Sequence, residues 1–319
     1  MNIFITGGTG FIGKKLATKH AKLGHQVTIL TRQPIPPAKR PSIRYVQGNL
    51  TDKTFNLLRL LQNTDVLYHC AAEITNTSLM HRLHVQGTKR LLEAVKGNSL
   101  HWVQLSSCGI YGNSQLVISE ETEEAPVEIY EQTKLESDRL VQNASINNKI
   151  TSTILRPTIV FGEDMPNNSI RQLISVIRSG FFFFPGTPET ALANYIYVDN
   201  VIDALYCCAT NHKAKNQVFI INDSLSMLQF VGTICQTLNS PLPRRVPVSL
   251  INSFLFLFSL FPIKLPLTPK RILALTDKRS FSNQKITNLL GFSNKVELRE
   301  GIQRMVQRFL QTLDKQKST

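Results

Sequence analysis

The stretch Thr6-Gly7-Gly8-Thr9-Gly10-Phe11-Ile12-Gly13 constrains this chain more than any other part of it. It follows the apolar run Asn2–Thr6 and opens the amphipathic run Phe11–Leu23, so it must be a tight turn from a strand into a helix. It holds the G-x-G-x-x-G spacing at Gly8, Gly10 and Gly13, and G-x-x-G-x-x-G at Gly7, Gly10 and Gly13. Glycines there let backbone amides approach a diphosphate, whose charge the start of a helix attracts. The motif is short, and it would also suit a merely structural turn. Its position between the first strand and the first helix is what points to a dinucleotide.

The same alternation continues. Strands are expected at Gln26–Thr31, Ser42–Gln47, Asp65–Cys70, Leu100–Ser106 and Ser152–Arg156, with helices over Leu79–Lys96 and Val127–Gln142. Pro34-Ile35-Pro36-Pro37 reads as a local loop after the second strand. This order predicts an α/β fold: a Rossmann-type doubly wound parallel sheet with a smaller, mostly helical C-terminal substrate lobe. Residues 1–162 form the dinucleotide-binding domain and also receive 194–223, where Gln217–Ile221 reads as a buried strand. Residues 163–193 and 224–319 form the lobe, with a loop at Phe181–Phe184 and helices over Thr268–Leu275 and Leu298–Leu313. A chain of 319 residues suits one such domain plus an appended lobe.

Charge narrows the partners. Lys+Arg number 36 against 22 Asp+Glu, a net +14 at pH 7. Only 18% of residues are charged, below the roughly 25% of ordinary chains, so acids are scarce rather than bases abundant. Anionic partners are favoured. Nucleic acid is excluded because no basic run is interleaved with aromatics. Cys70, Cys108, Cys207, Cys208 and Cys235 form no C-x-x-C pair and no zinc-like spacing with histidine, so no metal is expected and a reducing cytoplasm fits. The N-terminus lacks the basic region of a signal peptide. Val248–Ile263, interrupted by Asn252 and Ser253, is too short to span a bilayer. With Arg244-Arg245 before it and Lys264 after it, the run reads either as a buried helix or as contact with the inner face of an anionic membrane or a lipid-linked substrate.

Two further patterns carry chemistry. A site specific for NAD places an acid after the second strand to hold the ribose 2′-hydroxyl. This chain has Thr31-Arg32 there, with Lys39 and Arg40 nearby, which favours NADP over NAD because arginine pairs with a 2′-phosphate. Tyr130 and Lys134 stand at i and i+4, on one face of a helix. A free phenol titrates near about pH 10, and an adjacent ammonium stabilises its anion and makes it usable in proton transfer. Ser107, at the end of the fifth strand, offers a hydroxyl for a substrate oxygen or a simple cap.

TGGTGFIG (6–13), HCAA (69–72), LSSCGIYG (105–112), YEQTK (130–134), RPTIVFG (156–162), YVDNV (197–201) and LTDKRSFSNQKITNLLGF (275–292) together resemble the extended short-chain dehydrogenase/reductase family, its NAD-dependent epimerase/dehydratase group. The resemblance covers nearly the whole chain. It implies a Ser107–Tyr130–Lys134 site in which Ser107 polarises the substrate oxygen, Tyr130 exchanges its proton, and Lys134 binds the nicotinamide ribose and tunes Tyr130. It places Gly7, Thr9, Gly10, Phe11, Ile12, Gly13, Arg32, Asn49, Leu50, Ala71, Ala72 and Pro157 along the cofactor, with Tyr130 and Lys134 touching it too. Asn194, Arg171 and Arg178 are candidates for a substrate diphosphate, though a solvated face would explain the arginines. The implied substrate is a sugar nucleotide or lipid-linked sugar, acted on by a 4-epimerase or 4-ketoreductase, and a homodimer is compatible. A dehydrogenase of a lipophilic alcohol, like sterol or dihydroflavonol relatives, is the second reading; a non-catalytic dinucleotide sensor is the third.

Three departures stand out. Asn49 replaces an aspartate usual after the third strand, and can meet an adenine amino group through its carbonyl oxygen. His84 replaces the asparagine of the NVxGT motif, which puts a proton relay through that helix in doubt. Cys108-Gly109 replaces the acid pair with which 4,6-dehydratases eliminate water, so dehydration is disfavoured, and Cys108 reads as a small packed residue.

Overall fold

The computed structural model describes residues 1–35, 41–95, 100–113, 116–147, 150–251 and 269–317. Its strands include β1 (Asn2–Thr6), β2 (Gln26–Thr31), β3 (Ile43–Gln47), β4 (Val66–His69), β5 (His101–Leu105), β6 (Val117–Ile118), β7 (Thr151–Pro157), β8 (Ile159–Phe161), β9 (Phe184–Pro185), β10 (Leu192–Tyr197), β11 (Gln217–Ile221) and β12 (Asp223–Ser226). Its helices include α1 (Phe11–Lys22), α2 (Leu58–Leu61), α3 (Thr77–His81), α4 (Gly87–Ala94), α5 (Ile129–Ile146), α6 (Ser169–Arg178), α7 (Val198–Thr210) and α8 (Met227–Leu238).

Two compact units are present. The first comprises Met1–Thr158, Val198–Asn222 and Phe281–Ser293. Its sheet has the order β11-β7-β5-β4-β1-β2-β3, parallel at every pairing. β4 and β5 are buried at every residue, as strands covered on both faces must be. Neighbouring residues of β5 show the two coverings. His101 Nε2 lies 3.2 Å from the Cys208 carbonyl of α7, while Trp102 packs in a cluster with Leu91 of α4 and Val141 of α5. This is the doubly wound Rossmann arrangement. Strand order reverses between β1 and β4, where such sheets open a crevice at their carboxyl ends. α1 and α7 are also tied by the Lys15–Asp199 and Lys19–Asp203 ion pairs.

The helix expected over 79–96 starts earlier, at Thr77, and is interrupted by a π-helical turn at Arg82–Gln86. Phe281–Ser293, grouped by the sequence pattern with the lobe, belongs to the first unit. The Asn283 side chain accepts from Asn222 N–H at 2.7 Å and donates to the Asn222 carbonyl at 2.6 Å, fastening the segment beyond β11.

The second unit comprises Ile159–Tyr197, Asp223–Ser280 and Asn294–Thr319. A three-stranded sheet, β12-β10-β8, packs with α8 and the C-terminal helix Leu298–Lys317. A Ser226/Gln229 capping box starts α8, and Asn239 in the left-handed conformation ends it. Most of the 248–263 run lies outside the described residues; of its start, Leu250 is exposed and Ile251 buried. Among the described residues, no helix is long and apolar enough to cross a membrane.

Several histidines of the first unit are buried and neutral. His20 Nε2 bonds the Tyr68 hydroxyl at 2.9 Å and its Nδ1 bonds His25 at 2.8 Å; burial lowers it from the ordinary 6.5 to about 4. Burial likewise lowers His84 to about 4. The unfolded chain takes up these protons near pH 6.5, whereas the folded chain refuses them until about pH 4, so stability is complete above that window and is lost as pH falls through it. Urea unfolding at about pH 5 should show each of the two costing about 2 kcal/mol relative to about pH 7.5. A midpoint unchanged between those pH values would contradict this.

Candidate active site

The glycine turn is held open by what its residues lack. Gly7 has φ +69°, and a Cβ there would stand 2.7 Å from the Ala71 nitrogen and the Cys70 carbonyl. A Cβ on Gly13 would stand 2.3 Å from the Gly7 carbonyl. Only glycine lets β1, the loop after β4 and the first turn of α1 approach this closely. Gly10 caps α1 with no side-chain bond, and no acid lies in the first turn. The helix therefore presents bare amides and its positive end. Thr9, Phe11 and Ile12 are half-buried around it. The Thr6 hydroxyl accepts from Ala71 N–H at 3.3 Å and bonds His69 Nδ1 at 2.6 Å, locking the two strands at the switch point. These residues fit a dinucleotide diphosphate.

The second half of the site hangs on α5. A Glu128/Glu131 capping box starts the helix, so that Tyr130 and Lys134 fall on its inner face. Lys134 is 3% exposed and its Nζ donates to the Leu105 carbonyl at the end of β5, at 2.5 Å. Burial lowers its pKa, and Asp138, one turn further along, opposes that fall. Asp138 is wholly buried; its Oδ2 accepts from Ser106 Oγ at 2.7 Å and from Arg156 Nε at 3.2 Å, and its Oδ1 is unpaired. Arg156 also donates to the Tyr111 hydroxyl at 2.8 Å and to Glu124 at 2.7 Å. Burial pushes the Asp138 carboxyl up from its ordinary range, against the pull of Arg156 and Lys134.

Tyr130 is half-buried. Burial first, then the charges of Asp138 and Glu131, push its phenol up to about 12, so at neutrality it carries its proton, as a free phenol does. Ser107 is half-buried, and its Oγ accepts from Gly109 N–H at 3.1 Å, which leaves the hydroxyl proton free for a substrate oxygen.

The remaining predicted residues fall as follows. Ala71 is half-buried, Ala72 exposed, and Leu50 and Pro157 buried. Arg32 is exposed, beside buried Thr31, while Lys39 and Arg40 lie outside the described residues. The Asn49 Oδ1 is occupied by Thr51 N–H and Oγ1, each at 3.0 Å, so its amide NH₂ rather than its oxygen is available. In the second unit, Arg171 donates to the Met165 and Glu163 carbonyls at 3.0 and 2.7 Å, and Asn194 donates to the Arg279 carbonyl at 2.7 Å. Arg171 fastens the loop before α6, and Asn194 ties β10 to the segment at Arg279. Arg178 is exposed. Cys108 donates its thiol to the Arg156 carbonyl at 3.0 Å, and burial holds it protonated. A Cβ on Gly109 would stand 3.0 Å from Glu131 Oε1, a contact that a small shift of that side chain relieves. Among the described residues, no cluster could hold a metal ion.

Sequence reasoning missed Asp138 and the use made of Arg156. The signal for Asp138 was its place one turn beyond Lys134 on the same helix face.

The NAD dependent epimerase/dehydratase family matches residues 3–222. The chain is 25% identical to a 3beta-hydroxysteroid-dehydrogenase/decarboxylase, isoform 1, of Arabidopsis thaliana, over 96% of this chain and 79% of the relative. It is 27% identical to a UDP-glucose 4-epimerase of Vibrio cholerae, over 97% of this chain and 96% of the relative. Among solved structures, a UDP-glucuronic acid 4-epimerase of Bacillus cereus in complex with NAD superposes with a TM-score of 0.77 at 21% identity, covering 98% of this chain and 99% of that one. The chain belongs to the NAD-dependent epimerase/dehydratase family and is an NAD-dependent enzyme of the extended short-chain dehydrogenase type.

Gly13→Ala should cut dinucleotide affinity by at least about tenfold, because the close approach to Gly7 is lost. Calorimetric titration checks this, and wild-type affinity in the folded variant would refute the placement. Arg156→Met strands a buried carboxylate and should cost about 3–5 kcal/mol in urea unfolding. A change below about 1 kcal/mol would show that the pair is not held as described.

Proposed function

We propose that this enzyme moves a hydride between a nicotinamide and a carbinol or keto carbon of a nucleotide-linked or lipid-linked sugar. The observation that carries the reading is the presence in one unit of the open glycine turn, buried Lys134 and Tyr130 on α5, and Ser107 at the end of β5. Ser107 holds the substrate oxygen through its free proton. Tyr130 gives its proton to that oxygen as negative charge develops there, and takes one back in the opposite direction. Lys134, one turn along α5 from Tyr130 and fixed by the Leu105 carbonyl, supplies the positive charge that favours the developing phenolate. A bound dinucleotide supplies the hydride or accepts it, and Gly7, Gly10 and Gly13 with the α1 amides would hold its diphosphate. Cys108-Gly109 offers no acid/base pair for elimination, which favours an epimerase or ketoreductase over a dehydratase.

NADP is the favoured dinucleotide, because Arg32 is exposed next to Thr31 where an acid would select NAD. Fluorescence titration should show NADPH binding about tenfold more tightly than NADH, with Arg32→Glu reversing the order. Equal affinities in the wild type would contradict this.

The second reading, oxidation of a lipophilic 3β-alcohol, is favoured by the likeness to the Arabidopsis dehydrogenase. Contact with an anionic membrane is supported by exposed Arg244 and Leu250 at the start of the apolar run, where Arg245 is already paired with Glu189. Flotation with anionic liposomes should be lost in a Phe256→Asp/Phe258→Asp variant, and equal flotation would remove that contact from the account.

Turnover of UDP-glucose, UDP-N-acetylglucosamine and a 3β-hydroxysterol tests the reaction. A UDP-sugar should be converted, and Tyr130→Phe should lose about a thousandfold in rate while keeping dinucleotide affinity within about threefold. Conversion of the sterol alone supports the second reading; full activity of Tyr130→Phe refutes the mechanism.

A further inference from the structure

His84 lies at the middle of the π-helical turn Arg82–Gln86, between α3 and α4. Such one-turn widenings shift the register of a helix and re-aim the side chains on it. The ring is 1% exposed. Its Nε2 accepts from the backbone N–H of Glu73, in the loop after β4, at 2.9 Å. Its Nδ1 lies 2.8 Å from the Thr133 hydroxyl of α5. The Tyr130 ring stands edge-to-face against it, with centroids 5.6 Å apart and planes at 86°.

These bonds leave one assignment of protons. An amide N–H can only donate, so Nε2 must be bare, and a neutral imidazole then carries its proton on Nδ1. Nδ1–H donates to Thr133 Oγ1, whose own proton goes to the carbonyl of Ile129 at 2.9 Å or of Tyr130 at 3.1 Å. The chain of bonds ends on backbone carbonyls, which take no proton. Two charged groups reach the ring: Lys134 on α5 disfavours its protonation and Glu73 favours it, while burial outweighs both and lowers it to about 4.

We infer that His84 is a positioning residue for Tyr130: fixed as the Nδ1–H tautomer, it clamps the first turns of α5 to the loop after β4, and it passes no proton. This rests on the reading of Tyr130 as the proton-transfer group. The clamp explains why a π-helical turn is kept in the middle of a helix, since the turn is what carries the ring to both partners. Without the clamp, Tyr130 keeps its place in the helix but loses the contacts that hold its ring at one angle. A displacement on the order of 1 Å at a reacting group is enough to cost about a hundredfold in rate.

Two measurements bear on this, and the first needs no substrate. Long-range proton–nitrogen spectra of protein carrying [15N]histidine should show one ring protonated at Nδ1 and bare at Nε2, staying neutral between about pH 6 and 8. That signal should vanish in His84→Phe, and the [13Cζ]tyrosine resonance of Tyr130 should move. An Nε2–H tautomer, titration within that range, or an unmoved Tyr130 resonance would overturn the inference. The second measurement compares turnover of the UDP-sugar. His84→Phe should lower kcat about a hundredfold, with KM, dinucleotide Kd and the inflections of the pH profile unchanged. His84→Asn, whose Oδ1 can accept from Glu73 N–H, should recover about tenfold of that loss. An unchanged kcat in folded His84→Phe, or a shifted inflection, sinks the positioning role. If the wild-type protein turns over no compound tested, the reading of the reaction fails, and the spectra still decide the tautomer and the clamp.

Discussion

Lys134, Asp138 and Arg156 lose nearly all contact with water at the carboxyl ends of β5 and β7, and they can be buried only as a set. One carboxylate lies within the field of two cations, and Arg156 reaches Glu124 as its second counter-charge. Each remaining donor finds an oxygen: Lys134 the Leu105 carbonyl, Ser106 Asp138, and Arg156 the Tyr111 hydroxyl. This set fixes α5 against the sheet at the end of the strand that delivers Ser107. Its cost in desolvation is large, and removing any member would leave a charge or a lone pair without a partner.

Above that set the site divides its work between two kinds of constraint. The cofactor half is steric: Gly7 and Gly13 are defined by the atoms that a Cβ would strike. The reacting half is electrostatic: burial keeps the Tyr130 proton in place, and positive charge entering beside it is what would release that proton. The buried histidines join the halves without taking part in proton transfer. His69 binds Thr6 of β1 through one nitrogen and Thr88 of α4 through the other, and His84 spans the β4 loop and α5.

Much of this was legible in the sequence because it depends on local rules. The glycine turn, the alternation of strands and helices, and Tyr130–Lys134 at helical spacing need only nearest-neighbour geometry. Helices α7 and α8 were not read, because Val198–Thr210 and Met227–Leu238 are more apolar overall than α1 or α5, and a short apolar segment reads as readily as a buried strand. The direction of the Tyr130 shift was also beyond reach. The i, i+4 lysine is visible in the sequence, but the burial of the phenol, with the His84 ring packed edge-to-face against it, depends on tertiary packing. His84 could be flagged only as an unusual residue at its position. Its two partners, Glu73 and Thr133, sit on separate segments, and the π-helical turn that aims the ring leaves no mark in the apolar pattern.

The central claim is that hydride passes directly between a substrate carbon and a nicotinamide held on the Gly7–Gly13 turn beside Tyr130. Its most direct measurement is the fate of deuterium placed on C4 of a UDP-sugar, followed by mass spectrometry of the sugar product and of the dinucleotide released from the protein. The wild-type protein should keep the deuterium out of water, either returned to C4 of an epimerised product or left on the nicotinamide where a keto product is released, and Tyr130→Phe should form almost no product. Conversion of the sugar with the label lost to water would contradict the account.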